Sequence, residues 1–577
     1  TQTKPEEILI SDAGGVLVDQ IQMISCQLGH SRGRTSDGAS TWALFTSPTI
    51  GAPNANAKQE YATKPLFDIP SGIQGSNISL TISSPDANVT LYYTNDGSTP
   101  TAGSTAASGA IALNVNTVIR AISISSDPNI PSSFVETNTY FFNISHTMKI
   151  LAICGNEVSD FINDLAPGSF SSNFRGALEF FTATGALIDE GEGEYNKHGN
   201  DSWTYGQRGI DFIMRDQFGY NYAIQDQIYR GKSRTSHQRL MIKAAANDNV
   251  SFQSGGAHIR DAYVQSLSQV GDLKMDERSF EPAVLYVNGE YWGLYEIREK
   301  VGDSDFTSYY YDQDEKYSGG PTDVQFLRTW GATWEEMGAP NAQSDWNTLV
   351  NFITGNDMSI QANFDYVDSV FNWKSLVDYF CLNSYIVSAD WLNWNTSWWR
   401  GLNPDGDKKK WRYTLWDMDA TFGHYTNYTG IPDQGATAAP CAVEALPDPG
   451  GQGHTEIMME LMNNPTFEQY YISRYIDLGN TVFSCEFMIG HLDSLINLIT
   501  PEMPAQVARW GSSIATWESN VQTLRDFITD RCVEIETGLI DCYDLDGPYE
   551  VNYEVNPVAS GNIKVNSTTL NEYPWAG

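Results

Sequence analysis

The sequence predicts a multi-domain protein in which two β-sandwich modules precede a large α+β domain and the start of a further β module. Three observations predict this fold class. Short strand-like runs separated by turn residues fill the first part of the chain, strand and helix patterns alternate over a long central region, and strand-like alternation returns at the end. These changes of pattern place the boundaries at 1–57, 58–145, 146–545 and 546–577.

The composition is that of a folded and strongly acidic protein. Hydrophobic residues make up 41% of the 577 residues, which argues against disorder. The 34 Lys and Arg residues against 71 Asp and Glu residues give a formal charge of -37, so we expect no nucleic-acid partner. No apolar run is long enough to predict a membrane span. Cations are natural partners of such a chain, although a solvated acidic surface explains the same composition.

Seven cysteines occur, and none forms a C-x-x-C pair, which argues against a structural zinc site. Several disulfides and one free thiol would fit an exported protein. We expect the three late cysteines, Cys485, Cys532 and Cys542, to pair among themselves. The chain starts at Thr1 without an initiator Met or a signal peptide and ends in mid-pattern, as expected of a segment of a longer protein.

The first module, 1–57, contains an alternating strand pattern over Gly14 to Ile24. Further landmarks follow it: Gly33-Arg34, Asp37-Gly38, Trp42 and the segment from Pro48 to Asn54. These residues resemble the second half of a lamin-tail domain, an immunoglobulin-like β-sandwich. The resemblance implies an adhesive or scaffolding module whose first half is missing.

The second module, 58–145, is built from short strand patterns such as Val89 to Thr94, followed by the turn signal Asn95-Asp96-Gly97. The run LYYTNDGSTPT resembles the C-terminal β-sandwich domain of chitobiase and β-hexosaminidase. That domain has no catalytic residues, so the resemblance leaves two roles open, a spacer or a weak glycan binder. Tyr92 or Tyr93 would either stack on a sugar or fill the core.

The central region, 146–545, mixes strand and helix patterns. The apolar run from Met148 to Ile153 predicts a strand, whereas Ala257 to Gln269 and Asn372 to Ala389 predict helices. Apolar residues from Trp517 to Cys532 recur at spacings of three and four, which predicts one face of a long amphipathic helix. A large α+β domain follows from these patterns.

Two polar motifs in this region carry candidate chemistry. Asp390 and Asn395 have the five-residue spacing of the protein-kinase catalytic loop. Asp417 and Asp419 follow the strand pattern WRYTLW, where a carboxylate is well placed to hold a metal. Phosphoryl transfer needs such an arrangement, because a metal held by carboxylates must offset the charge of the phosphate oxygens.

The complete set of motifs resembles the spore-coat protein H (CotH) kinase family, which comprises secreted or spore-associated atypical kinases with a reduced kinase fold. The pattern D-W-x-N-x-N, followed by W-D-x-D-x-x-F-G, is typical of that family. The segments from Val287 to Val301 and from His198 to Trp203 agree with two further family landmarks. The resemblance covers most of 146–545 and implies an atypical kinase-like fold there.

The resemblance also implies roles for individual residues. Asp390 would be the catalytic base. Asn395 and Asp417, with Asp419 as second choice, would hold magnesium or manganese. Two glutamates, Glu296 and Glu299, lie in the segment expected to border ATP.

One departure from the family pattern concerns the phosphate contact. Family members usually carry lysines after the G-N-x-S-x-W motif, whereas this chain has Gln207-Arg208. The planar guanidinium of Arg208 is not equivalent to a lysine ammonium. Either Arg208 still binds phosphate, Lys243 takes over that role, or the site is weakened.

Each candidate also has a structural interpretation. Asp390 and Asn395 could cap a helix or shape a loop, and Asp417 and Asp419 could bind structural calcium. The tryptophans of this region could form a sugar-stacking platform or pack in the core: Trp391, Trp394, Trp398 and Trp399.

Two functional hypotheses follow from the sequence. The first is an extracellular or cell-surface bacterial kinase that uses ATP and magnesium to phosphorylate Ser or Thr residues of surface proteins. The second is a catalytically degenerate kinase-like scaffold in an adhesive surface protein. Glycan binding is compatible with either hypothesis. The flanking modules, which resemble those of large exported bacterial proteins, favour an extracellular location in both cases.

Overall fold

The structure, a computed structural model, describes residues 7–163, 174–219, 221–313, 323–557 and 560–577. Its contacts group the chain into two compact units. Unit 1 comprises Thr1–Ala244, Glu281–Arg298 and Pro501–Trp510, and unit 2 comprises Ala245–Phe280, Glu299–Thr500 and Gly511–Gly577. The predicted domain 146–545 therefore contributes residues to both units.

The strands are, in chain order, β1 (Glu7–Ser11), β2 (Leu17–Gln22), β3 (Ser31–Arg34), β4 (Trp42–Phe45), β5 (Leu66–Phe67), β6 (Gly72–Gln74), β7 (Ile78–Leu80), β8 (Ile82–Ser83), β9 (Val89–Thr94), β10 (Thr105–Ala106), β11 (Ile111–Leu113), β12 (Thr117–Ser125), β13 (Glu136–Phe142), β14 (Lys149–Cys154), β15 (Phe174–Phe181), β16 (Leu187–His198), β17 (Gly209–Met214), β18 (Arg239–Lys243), β19 (Phe280–Val287), β20 (Glu290–Arg298), β21 (Val324–Trp330), β22 (Ala332–Gly338), β23 (Thr396–Gly401), β24 (Arg412–Thr414), β25 (Asn552–Tyr553), β26 (Ile563–Val565), β27 (Thr568–Leu570) and β28 (Trp575–Ala576).

The α-helices are α1 (Val158–Asn163), α2 (Asp216–Gly219), α3 (Arg260–Val270), α4 (Ser304–Tyr311), α5 (Ala342–Gly355), α6 (Gln361–Val370), α7 (Trp373–Tyr385), α8 (His454–Leu461), α9 (Pro465–Gly479), α10 (Cys485–Ile499), α11 (Met503–Trp510) and α12 (Ile514–Tyr543). Short 3-10 helices cover Asp201–Thr204, Ala246–Asp248, Pro440–Ala445 and Thr500–Glu502. The predicted helices over Ala257 to Gln269, Asn372 to Ala389 and Trp517 to Cys532 are confirmed as α3, α7 and α12.

A closed barrel forms the centre of unit 1. Its strands follow the order β14-β15-β16-β17-β18-β20-β19, and the parallel pair of β14 and β19 closes it. Alternate residues of a strand point to opposite faces. Ile242 and Ile297 belong to the barrel core, so Lys243 and Glu296, their sequence neighbours, lie on the opposite strand faces.

Helix α11 joins this barrel from a distant part of the sequence. The Gln506 side chain accepts a hydrogen bond from the backbone N–H of Leu294, at 2.9 Å, and donates one to the Gln207 side chain, at 2.6 Å. The Trp510 indole donates to the backbone oxygen of Trp292 at 2.6 Å. Strand β20 is thus covered by residues that follow it by more than 200 positions.

The β-rich region before the barrel contains a five-stranded sheet, β10-β9-β12-β13-β6. The predicted strand Val89 to Thr94 is confirmed as β9, and Tyr93 packs on the core of this sheet. Strands β9 and β10 are separated by residues 95–104, so the Asn95-Asp96-Gly97 turn opens a longer loop rather than a tight hairpin. In the first module, whose residues 1–6 lie outside the described ranges, β1 pairs with β2 and β3 with β4.

Helices and a four-stranded sheet, β22-β21-β23-β24, build unit 2. Helix α12 is 30 residues long and buries the apolar face that the sequence predicted, including Trp517, Val521 and Leu524. No helix in the described part of the chain is long and apolar enough to cross a membrane.

Two disulfides tie α12 to neighbouring elements of unit 2. Cys485 at the start of α10 pairs with Cys532, and Cys441 pairs with Cys542. The expected pairing among the three late cysteines is therefore right for Cys485 and Cys532 and wrong for Cys542. The partner of Cys542 lies 101 residues earlier, in a segment that no local pattern connects to α12. Three described thiols stay free rather than one: Cys26, Cys154 and Cys381.

Candidate functional site

Two loops of unit 2 bring the polar motifs of the sequence together. One loop leads from α7 to β23 and carries Asp390 and Asn395; the other follows β24 and carries Asp417 and Asp419. The backbone N–H of Ala389 donates to the carbonyl of Ala420 at 3.0 Å, and that of Phe422 donates to Ile386 at 2.8 Å. Motifs that are 27 residues apart in the sequence thus lie side by side.

Asp390 and Asn395 form a direct pair. The Asn395 side-chain amide donates to Oδ2 of Asp390 at 2.8 Å. Asn395 has a φ of 42°, a left-handed conformation that asparagine tolerates better than most residues. The element after this loop is strand β23, so the interpretation of Asp390 as a helix cap is wrong.

The two aspartates of the second loop differ in their surroundings. Asp419 is only 2% exposed, and its Oδ2 accepts the backbone N–H of Asn247 at 3.0 Å. Asp417 is half-buried, so its carboxylate is the more accessible of the two. This difference supports Asp417 as the first choice for a metal ligand and gives Asp419 a structural contact.

Helix α3 holds the backbone on both sides of Asp417. Oδ1 of Asp261 accepts the N–H of Met418 at 3.1 Å, and the side-chain amide of Gln265 donates to the carbonyl of Trp416 at 2.9 Å. Both helix residues are buried. The position of Asp417 is therefore fixed by α3 as well as by its own loop.

Asp248, which the sequence analysis did not single out, anchors the start of α3. Its carboxylate accepts the N–H groups of Ala257, Ile259 and Arg260, each at 2.7 Å, and pairs with the Arg260 guanidinium. Burial raises the pKa of this carboxyl, but Arg260, His424 and the backbone donors outweigh burial and hold the pKa below its usual value. The sequence signal that could have indicated Asp248 is its position as an acidic residue shortly before a helical pattern.

His424 also has a structural contact. Its Nε2 lies 2.8 Å from the carbonyl oxygen of Asn247 and therefore carries the proton. Burial lowers the pKa of His424, so the neutral ring is favoured.

Two arginines lie near the indole that precedes Asp417, and Glu299 contacts helix α4. Glu299 is buried and accepts the Tyr310 hydroxyl at 2.8 Å. The guanidinium carbons of Arg278 and Arg328 lie 4.1 and 4.3 Å from the ring centre of Trp416. No local sequence pattern indicates these two cations, because their approach to Trp416 depends on tertiary packing.

The remaining candidates belong to unit 1. Lys243 and Glu296 are paired across strands β18 and β20, and Glu296 also forms an ion pair with Arg298 at 2.8 Å. Arg208 is 1% exposed; its guanidinium stacks 4.9 Å from the Trp203 ring, and its Nε donates to the Tyr205 carbonyl. Lys243 and Glu296 are thus adjacent, and Arg208 lies against Trp203 and Tyr205.

The donors of unit 2 suit a hard divalent cation that shares its coordination with a phosphate. Among the described residues, no three His, Cys, Asp or Glu side chains gather closely enough to hold a metal alone. Magnesium is commonly held by one or two carboxylates together with substrate phosphates. The Asp417 carboxylate and the Asn395 amide oxygen match that donor set better than they match calcium, which takes six to eight oxygen ligands.

The tryptophans near Asp390 divide into two groups. Trp391, Trp398 and Trp399 are at most 1% exposed and pack in the core, which excludes them from a sugar-stacking platform. Trp394 is half-buried, and its ring centre lies 5.1 Å from that of Trp330.

Comparisons with known proteins find two family matches. Residues 212–535, more than half of the chain, match the family described as CotH kinase protein. Residues 69–137 match the chitobiase/beta-hexosaminidase C-terminal domain. No curated protein matches the chain.

Proposed function

Because the chain belongs to the CotH kinase protein family, we propose that it is an atypical kinase that uses ATP and magnesium or manganese to phosphorylate Ser or Thr residues of surface proteins. The observation that supports this function most directly is the hydrogen-bonded contact between the Asp390 loop and the Asp417 loop. Protein kinases need a base and a metal-binding aspartate in neighbouring loops.

The proposed roles follow from the surroundings of each side chain. Asp390 accepts the proton of the acceptor hydroxyl. The Asn395 amide donates to one oxygen of the Asp390 carboxylate at 2.8 Å and so orients it. Asp417 and the Asn395 amide oxygen would hold the metal, with Asp419 as a supporting residue. When bound, the metal offsets the negative charge of the phosphate oxygens.

We assign the nucleotide contacts implied by the family resemblance to Lys243, Glu296, Glu299 and Arg208. The cross-strand pairing of Lys243 with Glu296 favours Lys243 as the phosphate contact. The stacking of Arg208 on Trp203 favours a mainly structural role for that guanidinium.

We further propose that the protein acts outside the cytoplasm, with an immunoglobulin-like first module and the domain boundaries given above. The two disulfides support this location, since disulfides persist in oxidising compartments. The chitobiase-like domain supports glycan as an additional partner.

Calorimetric titration with ATP tests the proposed function. We expect the wild type to bind ATP in the presence of magnesium or manganese and not after metal removal with EDTA. Asp417→Ala should lose the metal-dependent binding. Asp433→Asn, which changes an exposed loop carboxylate of the same unit, is the matched control and should bind like the wild type.

Wild-type protein that binds no ATP with either metal would contradict the kinase proposal. A scaffold in an adhesive surface protein would then be the function to test. Binding that survives in Asp417→Ala would contradict the assigned metal ligand and leave nucleotide binding in place.

A further inference from the structure

We propose that Thr429 and Gln265 are positioning residues, which fix backbone groups next to one functional aspartate each. Thr429 would position Asp390, and Gln265 would position Asp417. The inference rests on the proposed kinase function for the roles of the two aspartates. The contacts themselves are independent of that function.

Thr429 holds the backbone on either side of Asp390. Its own N–H donates to the carbonyl of Ala389 at 2.9 Å. Its hydroxyl accepts the N–H of Trp391 and donates to the Trp391 carbonyl, both at 2.8 Å. Thr429 is 7% exposed, so little water can replace these hydrogen bonds.

The turn that carries Thr429 is itself held in place. Oδ1 of Asn427 accepts the N–H groups of Gly430 and Ile431 at 2.8 and 3.0 Å. The Asn393 side chain donates to the carbonyl of Tyr428 at 2.9 Å, which ties the turn back to the Asp390 loop. These hydrogen bonds therefore hold the turn, and with it the Thr429 hydroxyl, in a fixed position.

Gln265 has the corresponding place beside Asp417. Its amide donates to the Trp416 carbonyl at 2.9 Å and to Oδ1 of Asp261 at 3.3 Å, and Asp261 accepts the N–H of Met418. Its Oε1 accepts the N–H of Arg278 at 2.8 Å. Gln265 is fully buried, so its orientation is set by these partners.

The two contacts predict different defects. Loss of the Thr429 hydroxyl frees the Asp390 loop and should slow proton removal, because catalytic groups must stay close to their reactive geometry. Loss of the Gln265 amide frees the peptide before Asp417 and should weaken metal use. If the two residues had only a structural role, each variant would change the rate of proton removal, the use of the metal and the overall stability together.

The experiment uses the full chain and two matched pairs of variants. Thr429→Val removes the hydroxyl at nearly constant shape, and Thr429→Ser keeps it. Gln265→Met removes the amide, and Gln269→Met changes a partly buried glutamine one turn later on α3, which donates to the Ser279 hydroxyl. ADP release is measured as a function of magnesium concentration with water as the phosphoryl acceptor, so that ATP hydrolysis gives ADP and phosphate. Amide hydrogen exchange is followed over 386–396 and 415–420.

We expect Thr429→Val to lower kcat for ADP release by about ten-fold or more while the magnesium concentration for half-maximal rate stays unchanged. Thr429→Ser should restore the rate. Gln265→Met should raise that magnesium concentration by about ten-fold, and Gln269→Met should not. Exchange should accelerate only over 386–396 in Thr429→Val and only over 415–420 in Gln265→Met.

Unchanged kinetics and unchanged exchange in Thr429→Val and Gln265→Met would overturn the inference, as would equal defects of both variants in both readouts. If the wild type neither binds ATP nor releases ADP, the proposed function fails, and the local exchange pattern alone decides whether the two contacts hold the loops. If Thr429→Val does not fold, Thr429→Ala, which also lacks the hydroxyl, replaces it in the same comparison.

Discussion

Glu179 shows how a single buried side chain in unit 1 makes stability depend on pH. It lies in strand β15 at 1% exposure, and its carboxyl oxygens face the N–H and the hydroxyl of Thr139. Burial, with a smaller effect of the charge of Glu190, raises the pKa of Glu179 to about 8. The folded protein therefore holds a proton here at neutral pH.

We expect this proton to give a measurable pH dependence. Between pH values of about 4.5 and 8 the folded state binds the proton that the unfolded chain releases, so the free energy of unfolding falls as the pH rises. Glu179→Gln mimics the protonated form and should avoid this loss. Relative to the wild type, the variant should gain roughly 1–4 kcal/mol between pH 5 and pH 8.5 in urea unfolding.

Glu157→Gln, a change of an exposed carboxylate in the same unit, serves as the control and should show no such gain. Equal stability differences between wild type and Glu179→Gln at both pH values would mean that Glu179 is ionised in the folded protein.

At the same scale, the sequence predicted part of the candidate site. Asp390, Asn395 and Asp417 could be found because their spacing is local and matches a known chemical requirement. Thr429 and Gln265 could not, because the peptides they contact lie 38 and 151 residues away in the sequence. An ordinary Thr and an ordinary Gln carry no local pattern that reveals such contacts.

At the scale of elements, helix α12 supports the end of α7. The last carbonyl groups of a helix lack partners within it. The buried Arg531 guanidinium of α12 donates to the carbonyls of Ser384 and Tyr385, each at 3.0 Å, and to those of Ala436 and Ala438. Arg531 thus completes the helix from which the Asp390 loop departs.

Removal of this guanidinium should be costly. We expect Arg531→Met to lower the free energy of unfolding of unit 2 by about 2–4 kcal/mol, because several buried carbonyls lose their donors. Val533→Ala, at a 64% exposed position of the same helix, should change it by no more than about 0.5 kcal/mol. Urea titration followed by tryptophan fluorescence compares the two, and similar small effects would show that Arg531 is dispensable.

The disulfides of α12 allow a second prediction about this element. They close loops with sequence separations of 101 and 47 residues. Replacement of either cysteine pair by serine should lower the free energy of unfolding by about 4 kcal/mol, and slightly more for the longer loop. Thermal unfolding with and without reductant measures this effect, and a reductant-independent melting temperature in the wild type would contradict it.

The positions of the helices of unit 2 could be predicted more fully than the contacts between its elements. The spacing of Trp517, Val521 and Leu524 in the sequence predicts one buried helix face, and these residues are buried in α12. The pairing of Cys441 with Cys542 depends on which segments meet in the folded unit. No periodic pattern in the sequence predicts the contact between the Cys441 segment and α12.

At the scale of the whole molecule, the chitobiase-like domain is packed against the barrel of unit 1. Val118 shares a buried cluster with Cys154 and Ala177 of the barrel. Arg120, which is 1% exposed, forms a buried ion pair with Glu192 of β16. Buried contacts therefore hold this module against the barrel.

We expect this ion pair to couple the two parts of unit 1. Arg120→Met removes the buried partner of Glu192, which keeps only its pair with Arg175, and should lower the free energy of unfolding by about 3 kcal/mol. Arg230→Met is the control, since the Arg230 side chain is 59% exposed and its pair with Glu281 should contribute no more than about 1 kcal/mol. Limited proteolysis near residue 145 should cut Arg120→Met faster than the wild type, and equal rates would contradict the coupling.

The order of the β-rich region and the mixed domain could be predicted from the sequence, but the closure of the barrel could not. Strands β14 and β19 pair in parallel although more than 100 residues separate them. Such non-local pairing leaves no signal in a single sequence beyond two apolar runs.

The insertion of α11 beside β20 has a consequence for how the protein is made. Unit 1 starts at the N-terminal end of the chain, yet Gln506 and Trp510 belong to it. At a synthesis rate of roughly 5–20 residues per second, about 10–40 s separate the synthesis of β20 from that of residue 510. Unit 1 is therefore completed only after most of unit 2 has been made, and until then the surface of β20 that α11 covers is open to chaperones and proteases.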